Sequence, residues 1–159
     1  MKLSKITILA FLLTFSLVAC NTSKKMTKSN EPYTSLRAEL KSSAVVLKLG
    51  DTIKVIYPEM AMFDFGKDVV KTEAINSFVR FANIMKTYPD VNMIINGYTD
   101  NVGTDEINYD LSKRRAIAAF NLLKDDGVAE SRMITMGRGP QHPINSNATD
   151  YGRAQNRRV

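Results

Sequence analysis

Tryptophan is absent from the 159 residues, and cysteine and histidine occur once each. With Cys20 alone, no internal disulfide can form. The single His142 stands between Gln141 and Pro143 in a loop-like stretch, with no serine elbow in the chain and no second imidazole. An enzyme needs a nucleophile or an acid/base set, and none is visible, so the chain reads as a non-enzyme. A metal site is not indicated either. The acidic stretch "DNVGTDEINYD" departs from the EF-hand pattern at its third position, Val102, where an oxygen ligand is needed. No metal or cofactor is therefore expected. A long apolar run is missing as well. The longest, "ITILAFLLTFSLVA" at residues 6–19, falls short of the roughly 20 apolar residues that span a bilayer. No internal repeat is found.

Excess charge is present, but not on the part that would fold. The formal net charge is +6. The first fifty residues hold eight of the 22 bases and two of the 16 acids, which leaves fourteen of each for residues 51–159. A nucleic-acid domain would carry its excess on the folded part, with aromatics among the bases, so nucleic acid is excluded as a partner. The basic stretch ahead of residue 51 suits either a solvated tether or an anionic lipid surface.

Lys2 and Lys5 followed by the apolar run read as a secretory signal over residues 1–19. The run ends in "LVAC", Leu17 to Cys20. This resembles the bacterial lipobox, in which the cysteine is acylated and becomes the mature N-terminus. The resemblance implies a membrane anchor at Cys20, several acyl chains (palmitate among them), and a protein held at a membrane without crossing it. Asn21 follows the cysteine, so the aspartate retention signal is missing and the outer membrane is favoured.

Residues 20–44 read as the acylated cysteine and a flexible polar linker, with a short helix over Tyr33 to Ser43. "AVVLKL" and "TIKVIY" read as strands around a Gly50-Asp51 turn, and "MAMFDFG" as another strand after Pro58. Thr72 to Pro89 reads as a helix with Ile75, Phe78, Val79, Ala82 and Met85 on one side. "VNMIING" is a strand, Tyr109 to Gly127 a second long helix, and "SRMITMG" a strand. A two-proline loop then turns helical near Thr149, and "QNRRV" begins a last strand. Helices alternating with strands predict an α/β sandwich, one sheet with helices packed on it.

Arg115 is the residue in this pattern that asks for a partner. At about 100° per residue from Leu111, Leu122 falls near 20° and Arg115 near 40°, inside the apolar arc; Arg114 falls near 300°, on the wet side. A buried guanidinium must be paired, either with an acid of the protein or with a ligand carboxylate. The turn "GYTD" places Asp100 at the end of a strand, close to the helix start, and α/β proteins bind ligands beyond the carboxyl ends of strands. An anionic Asp100 and a cationic Arg115 at one cleft suit the ammonium and carboxylate of one amino acid.

"MFDFG", "GYTDNVGTDEINYDLSKRRA", "GRGPQHPI" and "GRAQNRRV" together resemble the OmpA-like peptidoglycan-binding domain, over roughly residues 45–159. With the lipobox, the chain is similar to small lipoproteins of the peptidoglycan-associated type. The resemblance implies a mixed sheet of βαβαβ type with helices on one face, as in OmpA C-terminal domains. It implies non-covalent binding of the peptidoglycan stem peptide through diaminopimelate, on the periplasmic side of the outer membrane. Asp100 would take the amine side of diaminopimelate and Arg115 its carboxylate. Thr99, Gly103 and Thr104 would line the loop, Phe63 and Asp64 the opposite wall, while Leu111 and Asn108 shape and brace the pocket. Arg157 would be a structural partner for the fold. Tyr98 stands where many relatives carry histidine. The competing expectation is a lipid-anchored module of the same fold that docks an envelope protein.

Overall fold

In the computed structural model, which describes residues 31–159, the turn expected at Gly50-Asp51 forms. Gly50 takes φ 60°, a left-handed conformation that costs glycine little. Strand β1 (Val45–Leu49) thereby folds back antiparallel on β2 (Thr52–Ile56), with Val45 opposite Ile56 and Leu49 opposite Thr52. The secretory signal expected at residues 1–19 and the acylated cysteine expected at Cys20 lie outside the described residues. The expected short helix is present as α1 (Glu31–Leu40), and its Leu36 and Leu40 are part of the core.

The stretch "MAMFDFG" is not a strand. Pro58, with φ −61° and ψ 147°, opens a single helical turn, α2 (Glu59–Met62), and Phe63 then makes an isolated bridge to Val70. Alternation along this stretch fails because Met62 and Phe63 are buried in succession, whereas Met60 and Phe65 lie in solvent. Helix α3 (Thr72–Thr87) follows. Its N-cap is Lys71 rather than Thr72, and Ala74 and Ser77 face inward with Phe78, Ala82 and Met85, leaving Ile75 exposed.

Strands β3 (Met93–Gly97) and β4 (Met133–Gly137) pair in parallel, Ile94 beside Ile134 and Gly97 beside Gly137. A parallel pair needs a crossover, supplied by α4 (Asp105–Asp125). This helix starts four residues before the expected Tyr109. The Thr104 hydroxyl accepts the Ile107 amide at 3.3 Å, and Asp105 and Glu106 occupy the first turn, where acids suit the dipole. It ends at Gly127 (φ 91°): the amides of Gly127 and Val128 bond the carbonyls of Lys124 and Leu123, a Schellman closure. Gly97 and Gly137 let α4 lie directly on the strand pair. A Cβ at Gly97 would stand 2.0 Å from the Ser112 carbonyl oxygen, and one at Gly137 would stand 2.7 Å from the Lys113 nitrogen.

Helix α5 (Asp150–Asn156) begins with Thr149 capping Gly152, as expected near Thr149. The last strand expected at "QNRRV" is reduced to bridges from Arg158 to Pro58 on one side and to Tyr98 on the other. Tyr57 and Val159 exchange both backbone bonds at 2.8 and 3.0 Å, and Tyr98 donates to the Arg158 carbonyl at 2.9 Å. The chain end thus lies between the extensions of β2 and β3, and strands, bridges and helices form one mixed α/β layer pair. α3 and α4 supply Phe78, Ala82, Met85, Ala116, Ala119 and Leu123 to the core; Val46, Ile95 and Met133 come from the strands.

Candidate functional site

Because the chain end is antiparallel to both β2 and β3, those two strands point the same way. Glu59 leaves the end of β2, Thr99 and Asp100 leave the end of β3, and Arg157 comes between them. Arg115 reaches the same place from the third turn of α4. All but Arg157 are nearly excluded from solvent: Arg115 is 1%, Glu59 4%, Thr99 4% and Asp100 6% exposed.

The four charges form a chain. Asp100 accepts the Arg157 Nη1–H at 2.7 Å, and Arg157 Nε donates to one oxygen of Glu59. Arg115 Nη2 donates to the other Glu59 oxygen. Two acids and two guanidinium groups balance, as buried charges must. Arg115 Nε also donates to the Lys67 carbonyl at 2.9 Å, while its Nη1 is buried with no partner. The Phe63 ring lies under the Arg115 guanidinium at 5.2 Å and the exposed Phe65 ring against Arg157 at 5.5 Å, both within cation–π reach. Burial works against the charge of Arg157, but the hydrogen bonds and charges of Asp100 and Glu59 outweigh it and raise its pKa above the ordinary arginine value.

The loop from Asp100 to Thr104 is held from within. Asp100 Oδ1 accepts the Val102 amide at 3.0 Å, and the Asn108 side-chain amide donates to the Val102 carbonyl at 3.0 Å. Gly103 supplies the φ of 95° that lets the loop turn into the helix. Thr99 donates its hydroxyl to the Asp100 carbonyl at 2.9 Å, and its amide bonds the Gly139 carbonyl at 2.9 Å. Gly103 and Thr104 are exposed on the rim.

Arg115 does point inward, and the first of its two possible partners is realised: an acid of the protein, Glu59. Arg114 lies on the surface with Asp68 at 2.7 Å and Asp110, and it holds the Asp68 carboxyl below its usual range. Asp100 and Arg115 do not face each other as an open pair; Arg157 and Glu59 stand between them. Phe63 is a floor in the core rather than an open wall, and Asp64 points to solvent, paired with Lys71 at 3.2 Å. Leu111 is half-buried one turn before Arg115 on α4. Glu59 was missed by sequence reasoning, although a lone acid between Pro58 and the apolar "MAMF" was the available signal. Among the described residues, no group of three or more His, Cys, Asp or Glu is placed to hold a metal, and no helix is long and apolar enough to cross a membrane.

The chain as a whole is similar to known proteins. The "Probable lipoprotein YiaD" of Escherichia coli (strain K12) is 38% identical over 125 residues, which is 78% of this chain and 57% of that protein. The "Peptidoglycan-binding protein ArfA" of Mycobacterium tuberculosis (strain H37Rv) is 49% identical over 80 residues, half of this chain and 24% of that protein. The chain thus spans between about a quarter and just over half of the length of these relatives. Among solved structures, the peptidoglycan-associated lipoprotein of Burkholderia pseudomallei superposes with a TM-score of 0.57 at 31% identity, over 61% of this chain and 82% of the other. The profile of the OmpA family matches residues 62–157, from the end of α2 to Arg157 and so across the whole charge chain except Glu59. The chain belongs to the OmpA family.

Proposed function

We propose that this chain binds peptidoglycan without covalent chemistry, through the diaminopimelate of the stem peptide, and that acylated Cys20 ties it to the outer membrane with the domain in the periplasm. The boundaries that go with this reading are a signal at residues 1–19, a tether from Cys20 to residue 44 and a wall-binding domain over residues 45–159. One observation carries the site: a charge-balanced Asp100–Arg157–Glu59–Arg115 chain that leaves Arg115 Nη1 buried and unpaired. A zwitterion can enter such a chain without changing its net charge. Its carboxylate takes the free Nη1 of Arg115, and its ammonium joins Asp100 in place of, or beside, Arg157. Thr99, Gly103, Thr104 and Asn108 fix the loop that presents Asp100, and Leu111 supplies apolar contact for the alkyl chain, while Phe63 supports Arg115 from beneath. Asp64 has the least to offer here, since it is exposed and paired with Lys71. The chain works as a binding module, and its family relatives include a peptidoglycan-binding protein and a peptidoglycan-associated lipoprotein.

Titration of a diaminopimelate-containing stem peptide by calorimetry tests the reading, alongside pull-down with purified sacculi. Each hydrogen bond to a charged group contributes about 1.5–3 kcal/mol. Asp100→Asn and Arg115→Lys should each weaken binding by about tenfold to over a hundredfold, with folding checked by circular dichroism. Arg114→Ala should bind as the wild type does. Undiminished binding by folded Asp100→Asn and Arg115→Lys would remove the site. Failure of the wild type to sediment with sacculi would leave the envelope-protein module as the reading.

A further inference from the structure

Among the described residues, the core lies on one face of the strands. The other face carries Val45, Leu47 and Leu49 on β1, Ile94 on β3 and Ile134 on β4, all between 42% and 61% exposed. A sheet with one wet face ordinarily alternates apolar-in with polar-out. β1 does not: Val46 enters the core, and the three outward positions are apolar too. β1 is also an outermost strand of the described residues, paired with β2 alone. Such an edge invites a partner.

The charges around it indicate which partner. A shallow groove beside β1 is lined by Tyr33, Arg37, Lys41 and residues 44–47. Lys54 lies opposite Leu47 on the same outward face. Glu39 and Asp51 are the nearby acids, so bases prevail. A second copy paired edge to edge through β1 would bring Arg37 and Lys41 of both chains together, which opposes that pairing. An anionic surface would attract them.

The direction of the chain adds a second argument. Ser35 of α1 meets Tyr88 just past the end of α3, at 3.3 Å, whereas Ser43 meets Ser77 in the first half of α3, at 2.6 Å. Ser77 in turn bonds Tyr57, two residues before Glu59. The start of α1 therefore lies at the end of the molecule opposite the charge chain. Ten residues separate Glu31 from Cys20, and even fully extended they reach at most about 36 Å.

We propose that the outward face of the β1–β2 hairpin, with the basic side of α1, docks on an anionic lipid bilayer, the one that holds Cys20. Val45, Leu47 and Leu49 would sit at the headgroup boundary, with Arg37, Lys41 and Lys54 against anionic headgroups. Docking would orient the domain, with β1 and β2 along the bilayer surface and the Asp100 end open to the side, beyond the Val45–Ile56 end of the hairpin. This rests on the anchor reading of Cys20 and on the wall-binding reading, and it can fail separately from both.

The test uses the chain extracted from membranes, with Leu47→Cys carrying an environment-sensitive fluorophore, in phosphatidylethanolamine vesicles with and without phosphatidylglycerol. Mass spectrometry reads the state of Cys20, and sacculus pull-down of the same sample reads wall binding. The label at position 47 should shift to the blue and be quenched from the lipid only in the anionic vesicles. One molar salt, with a screening length of about 3 Å, should reverse this. A label at Asn76→Cys, exposed on α3, should remain aqueous. Arg37→Glu with Lys41→Glu should weaken the shift at least tenfold in its dependence on anionic lipid. A position-47 label that stays aqueous in anionic vesicles, with Cys20 acylated and sacculus binding intact, overturns docking alone. A shift that follows protein concentration and ignores lipid charge assigns the face to a second copy and overturns it as well. Unmodified Cys20 or lost sacculus binding overturns the anchor or the wall reading instead.

Discussion

Glu59 is the residue on which the charge chain depends. It faces two guanidinium groups, one of them buried to 1% exposure, and nothing else in the cluster is placed to neutralise both. Removing one partner of a buried pair costs about 3–5 kcal/mol, because the other charge is left desolvated and unpaired. Glu59→Gln should therefore destabilise the domain by roughly this amount in urea or thermal melts, and by far more than Asp64→Asn at the exposed Asp64–Lys71 pair, where about 0–1 kcal/mol is expected. Comparable midpoints for the two variants would show that Glu59 is not the hub. A second buried group gives a pH signature. Tyr57 stacks on Phe78 at 5.0 Å and bonds Ser77 at 3.1 Å. Burial raises its pKa above 10.0, against the weaker opposing pulls of Ser77 and Arg80. The neutral phenol is the form that folding favours, so its contribution is fully present below the unfolded pKa and is lost as pH rises through the folded one. Tyr57→Phe should lose about 1 kcal/mol at neutral pH and show a shallower alkaline fall in stability above pH 10 than the wild type. Parallel curves would refute the assignment.

At the scale of elements, the packing of α4 on β3 and β4 sets the position of Arg115. The helix can approach only where the strands lack side chains, at Gly97 and Gly137, and a Cβ at either would meet helix backbone, which cannot move aside locally. Gly97→Ala should therefore displace α4, lowering stability by at least about 1–3 kcal/mol, as overpacking does, and should weaken stem-peptide binding with it. Gly50→Ala, with open space around it, should cost only the strain of its φ of 60°. A Gly97→Ala domain as stable as wild type would mean that the helix can shift freely. These elements also show what the sequence displays. α4 was legible because its apolar positions recur at helical spacing and Gly127 marks its end, and the inward angle of Arg115 followed from that periodicity alone. Its start was not, because Thr104 competes as a cap with every acid in the loop. The stretch after Pro58 was misread as a strand: Met60, Met62 and Phe63 can satisfy either period over so short a run. The last strand became two bridges because its pairing lies with residues about 60 and 100 positions away, which no local pattern reveals. The charge chain was half legible for the same reason. Asp100 and Arg115 lie within one continuous motif, whereas Glu59 enters it only through the pairing of the chain end with β2.

At the scale of the whole molecule, the start of α1 and the candidate site lie at opposite ends, and that separation makes the two proposed attachments independent. The chain enters the described structure at Glu31, beside the far end of α3, while Asp100, Arg157, Glu59 and Arg115 gather at the carboxyl edge of β2 and β3. Nothing in the charge chain involves α1, so lipid attachment should leave wall affinity unchanged, and wall binding should leave membrane partition unchanged. On the proposed anchor at Cys20, acyl chains would carry the membrane affinity, at about 0.8 kcal/mol per buried methylene, far more than a few surface bases add. Cys20→Ser should therefore move the protein from the membrane fraction to the periplasm while its calorimetric affinity for stem peptide stays the same. Asp100→Asn should do the reverse, remaining in the membrane fraction and losing co-sedimentation with sacculi. A chain that carries both changes should be lost from both fractions, with no penalty beyond the two single ones, since sites with no shared partners act additively. If Cys20→Ser by itself weakened the affinity of the isolated protein for stem peptide, the two ends would be coupled through the fold, and the separation read from the course of α1 would be wrong.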